Sequence, residues 1–385
     1  MNILLVAPHP WYQERGTPIA VNLLVQVLTN AGHKVDLLTF NEGEDKHYSG
    51  LQITRVQPPW SITGIMPGFS LKKVFMDFFL FWKMWGMVRK KKYDVIHAVE
   101  ESAFFGVLFS RGKSTKFVYD MDSSIAAQMI DRFPLMKGLN PLLKALESIP
   151  IRMADAVVPV CVALENLALE YRDDAIFTIK DVSLITDSEI SNSVSDIRAE
   201  HDIDGPIFMY IGNLESYQGI DLMLESFAVS LKSNANCNLV VIGGSVEKIN
   251  HYEKMAAGLG LSSQCHFLGQ KPVADIDDYM QQADVMVSPR VHGENTPMKL
   301  YSYLDSGRAV LATNLPTHTQ VADSDVAYLA APTAEEFGLG FATLASDSEL
   351  RERLASRAKI FIELNHSFPV FESKVLELYS FLAED

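Results

Sequence analysis

Twice along its length the chain alternates short apolar runs with amphipathic stretches, and that pattern implies α/β folding on parallel sheets. In the first series the strand-like runs fall at 3–7, 35–40, 52–57, 95–97, 117–119, 156–160 and 176–179. Thr17-Pro18 opens a helix expected to reach Ala31, because Thr caps well and Pro suits a first turn. Gly32 is its stop signal. Another helix is expected near 102–109. Residues 188–204 turn polar and strand-poor, and read as the passage between domains. A second series follows, with strands at 207–211, 239–242, 266–268, 285–288, 310–312 and 327–329. Helices near 221–232, 249–259, 273–283 and 296–305 fill its gaps, and 368–382 forms a last amphipathic helix.

The expected architecture is therefore two Rossmann-like, doubly wound parallel-sheet domains facing a central cleft, where ligands meet the carboxyl ends of strands. At roughly 150 residues per domain, 385 residues suit two or three domains. The expected division is 1–190 and 200–365, with the helix 366–385 returning to the first domain.

Composition excludes several classes. The formal net charge of -15 repels phosphate backbones, so nucleic acid is not an expected partner. Cys161, Cys237 and Cys265 are far apart and form no CxxC pair, which argues against a disulfide framework or a cysteine zinc site and fits a reducing cytoplasm. The apolar run after Met1 lacks a basic flank and is too short for a signal peptide. No uncharged apolar run approaches the roughly 20 residues of a membrane span. A cytoplasmic protein is expected.

Chemistry is expected on the glycine-bearing loops after strands. Gly16 opens a helix, Gly212 to Gly219 follow a strand, and Gly243-Gly244 and Leu268-Gly269-Gln270 follow two more. Glycine permits close approach of a ligand, and a helix start offers free N–H groups to an anion. The most informative stretch is 288–310. A strand ends, Arg290 and Glu294 lie in a polar loop, and Asn295-Thr296-Pro297-Met298-Lys299 starts a helix suited to a diphosphate.

Taken together these segments resemble the retaining GT-B glycosyltransferases of the family 4 type, over nearly the whole chain. The resemblance rests on the first strand and Gly loop, Ala31-Gly32-His33-Lys34-Val35, Tyr93-Asp94-Val95-Ile96-His97-Ala98, the Gly212–Gly219 loop, Gly243-Gly244, Phe267-Leu268-Gly269 and Ala283-Asp284-Val285. Asn295 to Lys299 and Gly307-Arg308-Ala309-Val310 are its most specific parts. It implies a nucleotide-sugar donor on the second domain, an acceptor on the first, and metal-independent transfer with retention, without a cofactor. The implied acceptor is a glycan or a lipid-linked molecule.

Carried over residue by residue, the family's Glu-x7-Glu pair falls on Glu294, beside the donor sugar, and on Ser302, where the ribose is usually held. A serine offers only a short hydrogen bond there. The family's usual Arg and Lys of the Gly212 loop fall on Asn213 and Gln218, both neutral. Removing a preorganised donor typically costs about 10²–10³ in rate, so other cations are needed, and Arg290 and Lys299 are the candidates, Lys299 first. These three departures leave open a catalytically weak or inactive GT-B protein that binds nucleotide or glycan or supports a partner transferase. A GT-B epimerase is a third reading.

On the acceptor side, family members often have a histidine where this chain has Asp120-Met121-Asp122-Ser123. Asp122 can take a proton from an acceptor hydroxyl if it lies within reach, or Asp122 or Ser123 can cap the next helix. His9 and His97 are further acceptor-side candidates, or core histidines.

One segment departs from the acidic average. Residues 72–92 are rich in Phe, Trp and Met between Lys72-Lys73 and Arg89-Lys90-Lys91-Lys92. Aromatics flanked by cations suit a helix lying on an anionic membrane surface, at the inner face of the cell membrane; a core-packed helix with a basic end is the alternative.

Overall fold

The computed structural model describes residues 1–385 except 15, 61, 66–69, 113, 186–193, 233–235, 294 and 385. The chain forms two compact units, Met1–Asp181 with Pro369–Asp385, and Val182–Phe368.

The first unit is built on β1 (Asn2–Ala7), β2 (Lys34–Thr39), β3 (Leu51–Arg55), β4 (Val95–Val99), β5 (Lys116–Met121) and β6 (Ala156–Pro159), in the order β3-β2-β1-β4-β5-β6. Every pairing is parallel. The second unit has β7 (Ile207–Ile211), β8 (Asn238–Ile242), β9 (Cys265–Gly269), β10 (Val285–Ser288), β11 (Ala309–Thr313) and β12 (Tyr328–Ala330), ordered β12-β11-β10-β7-β8-β9. Both sheets reverse direction beside their first strand, so each has a switch point at the carboxyl end of β1 or β7. The inner strands are buried on both faces, as continuous apolar runs require.

Residues 176–179 do not form the expected strand. Ile176 makes one isolated parallel bridge to Val157, and beyond it Phe177 N donates to Val157 O and Ile179 N to Pro159 O without forming a continuous ladder. The passage between units also begins earlier than 190, because residues 182–185 pack with the second unit. Ser183 N donates to His366 O at 3.1 Å and Leu184 N to Ser302 Oγ at 3.2 Å. Residues 197–201 are a short helix capped by Asp196, within what the composition marked as a polar passage. The last helix, Phe368–Glu384, packs on the first unit: His97 Nδ1 lies 2.9 Å from Tyr379 Oη, and Lys374 Nζ donates to Thr178 O.

Residues 71–90 form one helix, capped by Ser70 Oγ accepting from Lys73 N. Met76, Leu80 and Met84 bury one face. Val74, Phe78, Trp82 and Trp85 repeat at helical spacing on the opposite face and are exposed. Both descriptions of this segment thus hold at once: it is core-packed on one side and aromatic to solvent on the other. Among the described residues, no helix is long and apolar enough to cross a membrane.

Candidate functional site

In the second unit, three loops meet at the carboxyl edge of β7, β8 and β9. Gly212 N donates to Ile242 O and Gly243 N to Gly269 O. Gly243 has φ +110°, and a Cβ there would run into the Gly212 carbonyl. The backbone is packed this closely only because the position is glycine. Leu268 sits at the end of β9 beside this edge. Gly219 has φ +76° and presses on the Pro289 carbonyl, which draws the Gly212 loop against the loop after β10.

Lys299 and Arg290 reach into this corner. Lys299 Nζ is buried 4.0 Å from the centroid of the Tyr210 ring, and an added Cβ on Gly212 would lie 3.1 Å from it. It has no hydrogen-bond partner among the described residues. Burial and the nearby Arg290 guanidinium hold the Lys299 ammonium well below its ordinary pKa. Arg290 donates Nε–H to His292 O and lies over the Tyr217 ring, and burial lowers its pKa as well. Two cations therefore stand together beside Gly-rich backbone with no carboxylate paired to them in any described ion pair. An anion entering here would favour the charged form of Lys299 and pair with the Arg290 guanidinium.

The remaining candidates divide. Asn213 turns back on its own loop: Nδ2 lies 3.3 Å from Tyr217 Oη, and its carbonyl accepts from Tyr210 Oη at 2.6 Å. Gln218 is buried, and its Oε1 has no hydrogen-bond partner among the described residues. Ser302 is occupied by the Leu184 amide, which accounts for a short side chain there. The helix Met298–Asp305 begins after Pro297, two residues later than the sequence pattern suggests. Thr296 is buried without capping it, and the Asn295 carbonyl accepts from Thr317 Oγ1. Tyr303 fastens this helix to β7, its hydroxyl donating to Ile211 O and accepting from Ile211 N, both at 2.8 Å. Glu294 lies outside the described residues.

His318 was not among the candidates. It is buried between Ser288 Oγ at 2.8 Å and Thr313 Oγ1 at 2.9 Å, and Thr313 Oγ1 donates to Arg290 O. Burial first, with help from Arg290 and Lys299, pushes its pKa down to about 3, so it is a neutral strut behind the Arg290 loop. No local motif marks it, because its partners come from two different strands.

In the first unit, Asp122 follows β5 and its carboxyl takes a hydrogen bond from Thr17, next to Gly16 at the head of the helix Gly16–Asn30. Burial, then Asp120, Glu100 and Asp181, raise its pKa well above the ordinary value. That direction favours the protonated carboxyl and works against Asp122 as a proton acceptor. It does not cap the next helix either, nor does Ser123: Ser124 does, accepting from Ala127 N. His97 is fully buried, wedged between Asp120 Oδ2 at 3.2 Å and Tyr379. His9 is buried with Nδ1 against Pro10 O, and its carbonyl accepts from Thr39 Oγ1. Both histidines tie strands to neighbouring elements. A small pocket of about 30 Å³ is lined by His97, Asp120, Asp122, Asp181 and Phe371.

This double Rossmann-like arrangement has clear counterparts. Residues 193–361 match the family described as glycosyl transferases group 1, and residues 15–175 match the glycosyl transferase 4-like domain. The chain belongs to the GT-B glycosyltransferases of the family 4 type. A phosphatidyl-myo-inositol mannosyltransferase from Mycobacterium leprae is 25% identical over 184 residues, 46% of this chain and 47% of that protein. The match therefore spans about half the length of that relative. Among solved structures, sucrose-phosphate synthase from Thermosynechococcus elongatus superposes with a TM-score of 0.78 at 18% identity, covering 100% of this chain and 99% of that one. Anabaena HepE in complex with UDP-glucose gives 0.74 at 15% identity, covering 99% of each chain. At such identities these likenesses establish the GT-B fold.

Proposed function

We propose that the protein is a retaining glycosyltransferase that moves a sugar from a nucleotide-diphosphate donor to an acceptor hydroxyl. The observation that carries this reading is the buried Lys299 ammonium beside Arg290 and Gly212, without a hydrogen-bond partner among the described residues. Such a cation is costly alone and gains most from a multivalent anion such as a diphosphate. The Anabaena neighbour's UDP-glucose is consistent with a donor of this kind.

In this reading Arg290 and Lys299 take over the work of the cations replaced by Asn213 and Gln218. The anomeric C–O bond to the diphosphate breaks and the acceptor oxygen bonds to the anomeric carbon on the same face. The hydroxyl proton passes to the leaving phosphate. Negative charge grows on that phosphate, and two preorganised cations stabilise it without a metal. Asp122, whose carboxyl is raised by burial, orients the acceptor hydroxyl by hydrogen bonding. The aromatic face of the helix Leu71–Lys90, with Arg89 stacked on Trp85 and Lys90 and Lys92 beyond, rests on an anionic membrane surface.

A second reading, a GT-B protein with little turnover, draws on one observation: Ser302 is committed to the Leu184 amide. Calorimetry with UDP-, GDP-, ADP- and TDP-sugars, together with donor hydrolysis, separates the two. Binding with turnover supports transfer. Binding without turnover supports the second reading, and no binding by folded protein defeats the donor assignment.

A further inference from the structure

The first unit contains a pocket that none of this chemistry uses. It measures about 260 Å³ and lies between three helices, Leu71–Lys90, Ala103–Ser110 and Ile125–Arg132. Val74, Phe104, Phe105, Ile125 and Met129 make its apolar wall. At its polar end Lys73 Nζ lies 2.9 Å from Glu100 Oε2 and 2.8 Å from Glu101 Oε1. Asp77 also faces the pocket, and its Oδ1 is buried with no hydrogen-bond partner among the described residues.

Two neighbours define what such a pocket would hold. Val74 belongs both to the pocket wall and to the exposed stripe with Phe78 and Trp82, so the pocket adjoins the aromatic face. At the other side, Ser123 lines this pocket while its chain neighbour Asp122 lines the small pocket with His97 and Asp120. The pocket thus runs from the aromatic face to the loop after β5, at the carboxyl edge of the sheet, where α/β folds take ligands. A volume of 260 Å³ falls just below the roughly 300 Å³ at which drug-sized sites begin, which suits one hydrocarbon chain.

We propose that this pocket receives the hydrocarbon chain of a single-chain or lipid-linked amphiphile, whose hydroxyl or ammonium head donates to the Asp77 carboxyl. This rests on the acceptor reading above and deepens it: the acceptor class is an amphiphile drawn from a membrane surface. The surroundings agree with a donor head. One ammonium, Lys73, faces three carboxyl groups, so the cluster has no surplus of positive charge for an anionic head. Burial, with Glu101, moves the Asp77 carboxyl up to about 8, and burial, with Glu100, moves Glu101 up to about 7, which keeps the pocket close to neutral.

The test titrates the whole protein with 1-decanol, decylamine and decanoate by calorimetry at pH 9, above the raised Asp77 carboxyl. The expected result is saturable one-to-one binding of decanol and decylamine, with decanoate at least tenfold weaker. Met129→Trp fills the apolar end and weakens all three by tenfold or more. Val74→Phe serves as a second filling variant, and each is checked for an unchanged melting temperature. Asp77→Asn narrows the difference between decylamine and decanoate. Chain binding unaltered in both folded filling variants, or decanoate bound as well as decylamine, overturns the proposal. Nucleotide-sugar titrations and flotation with anionic vesicles run alongside. If both succeed while decanol fails to bind, the pocket assignment alone is lost; if the nucleotide sugar also fails, the transferase reading is lost with it.

Discussion

Lys299 Nζ lies 4.0 Å from the centroid of the Tyr210 ring, on a helix that Tyr303 fastens to the end of β7. Helix start, strand end and glycine turn are thereby joined around one buried cation. Replacing Lys299 by Met removes a buried amine nitrogen that has no described hydrogen-bond partner or counter-ion, which is often neutral or stabilising. The melting temperature is expected to stay level or rise while kcat falls by about 10²–10³, the usual loss for one preorganised charge. A parallel fall in melting temperature and activity would make Lys299 a packing residue instead.

Gly219 tests the other wall of the corner. Its φ of +76° and its contact with the Pro289 carbonyl leave no room for a side chain. Gly219→Ala is expected to cost about 1–3 kcal/mol through strain at that position, seen as a lower urea midpoint at unchanged slope.

Stability should fall with rising pH through the range set by Asp181. Burial, then Asp120, moves its carboxyl from 3.8 up to about 7. Between these values the folded protein retains a proton that the unfolded chain has released. Stability from this group is therefore whole below about pH 4, declines as pH rises, and levels off above 7. Asp181→Asn removes that decline. The readout is the difference between wild type and variant across pH 4 to 8, since Asp77 and Glu101 titrate within the same range.

The aromatic stripe predicts vesicle binding. Flotation with anionic liposomes should carry the protein upward. Trp82→Ser combined with Trp85→Ser should abolish it, and Lys90→Glu with Lys92→Glu should remove the salt-sensitive part. Flotation unchanged by both pairs removes the membrane assignment.

Much of this was legible in the sequence because fully buried parallel strands leave unbroken apolar runs, and all six runs of the second unit became strands. Residues 176–179 failed for the same reason: apolar extended chain looks like a strand even where it runs beside β6 with a single bridge, at Ile176. The Gly212, Gly243 and Gly269 turns and the two cations carry local signals, and the structure brings them together. What stayed hidden depends on contact between distant segments. His318 acts through Ser288 and Thr313. Asp122 has its carboxyl raised by burial and then by Asp120, Glu100 and Asp181. Glu147, unmarked in sequence, is buried and accepts from Ser124 Oγ and Ala126 N at the head of the helix after Asp122. The two faces of the helix Leu71–Lys90 likewise needed the core to say which was which.

The most direct test of the donor site follows from the depressed Lys299 ammonium. A diphosphate bound against it should raise its pKa, so binding draws in a proton wherever the free side chain is partly neutral. UDP titrated calorimetrically at several pH values from 7 to 10, each in two buffers of different ionisation enthalpy, measures that proton. The account predicts net proton uptake by wild type, none by Lys299→Met, and affinity at least tenfold weaker in the variant. Equal affinity and equal proton exchange in the two proteins would contradict it.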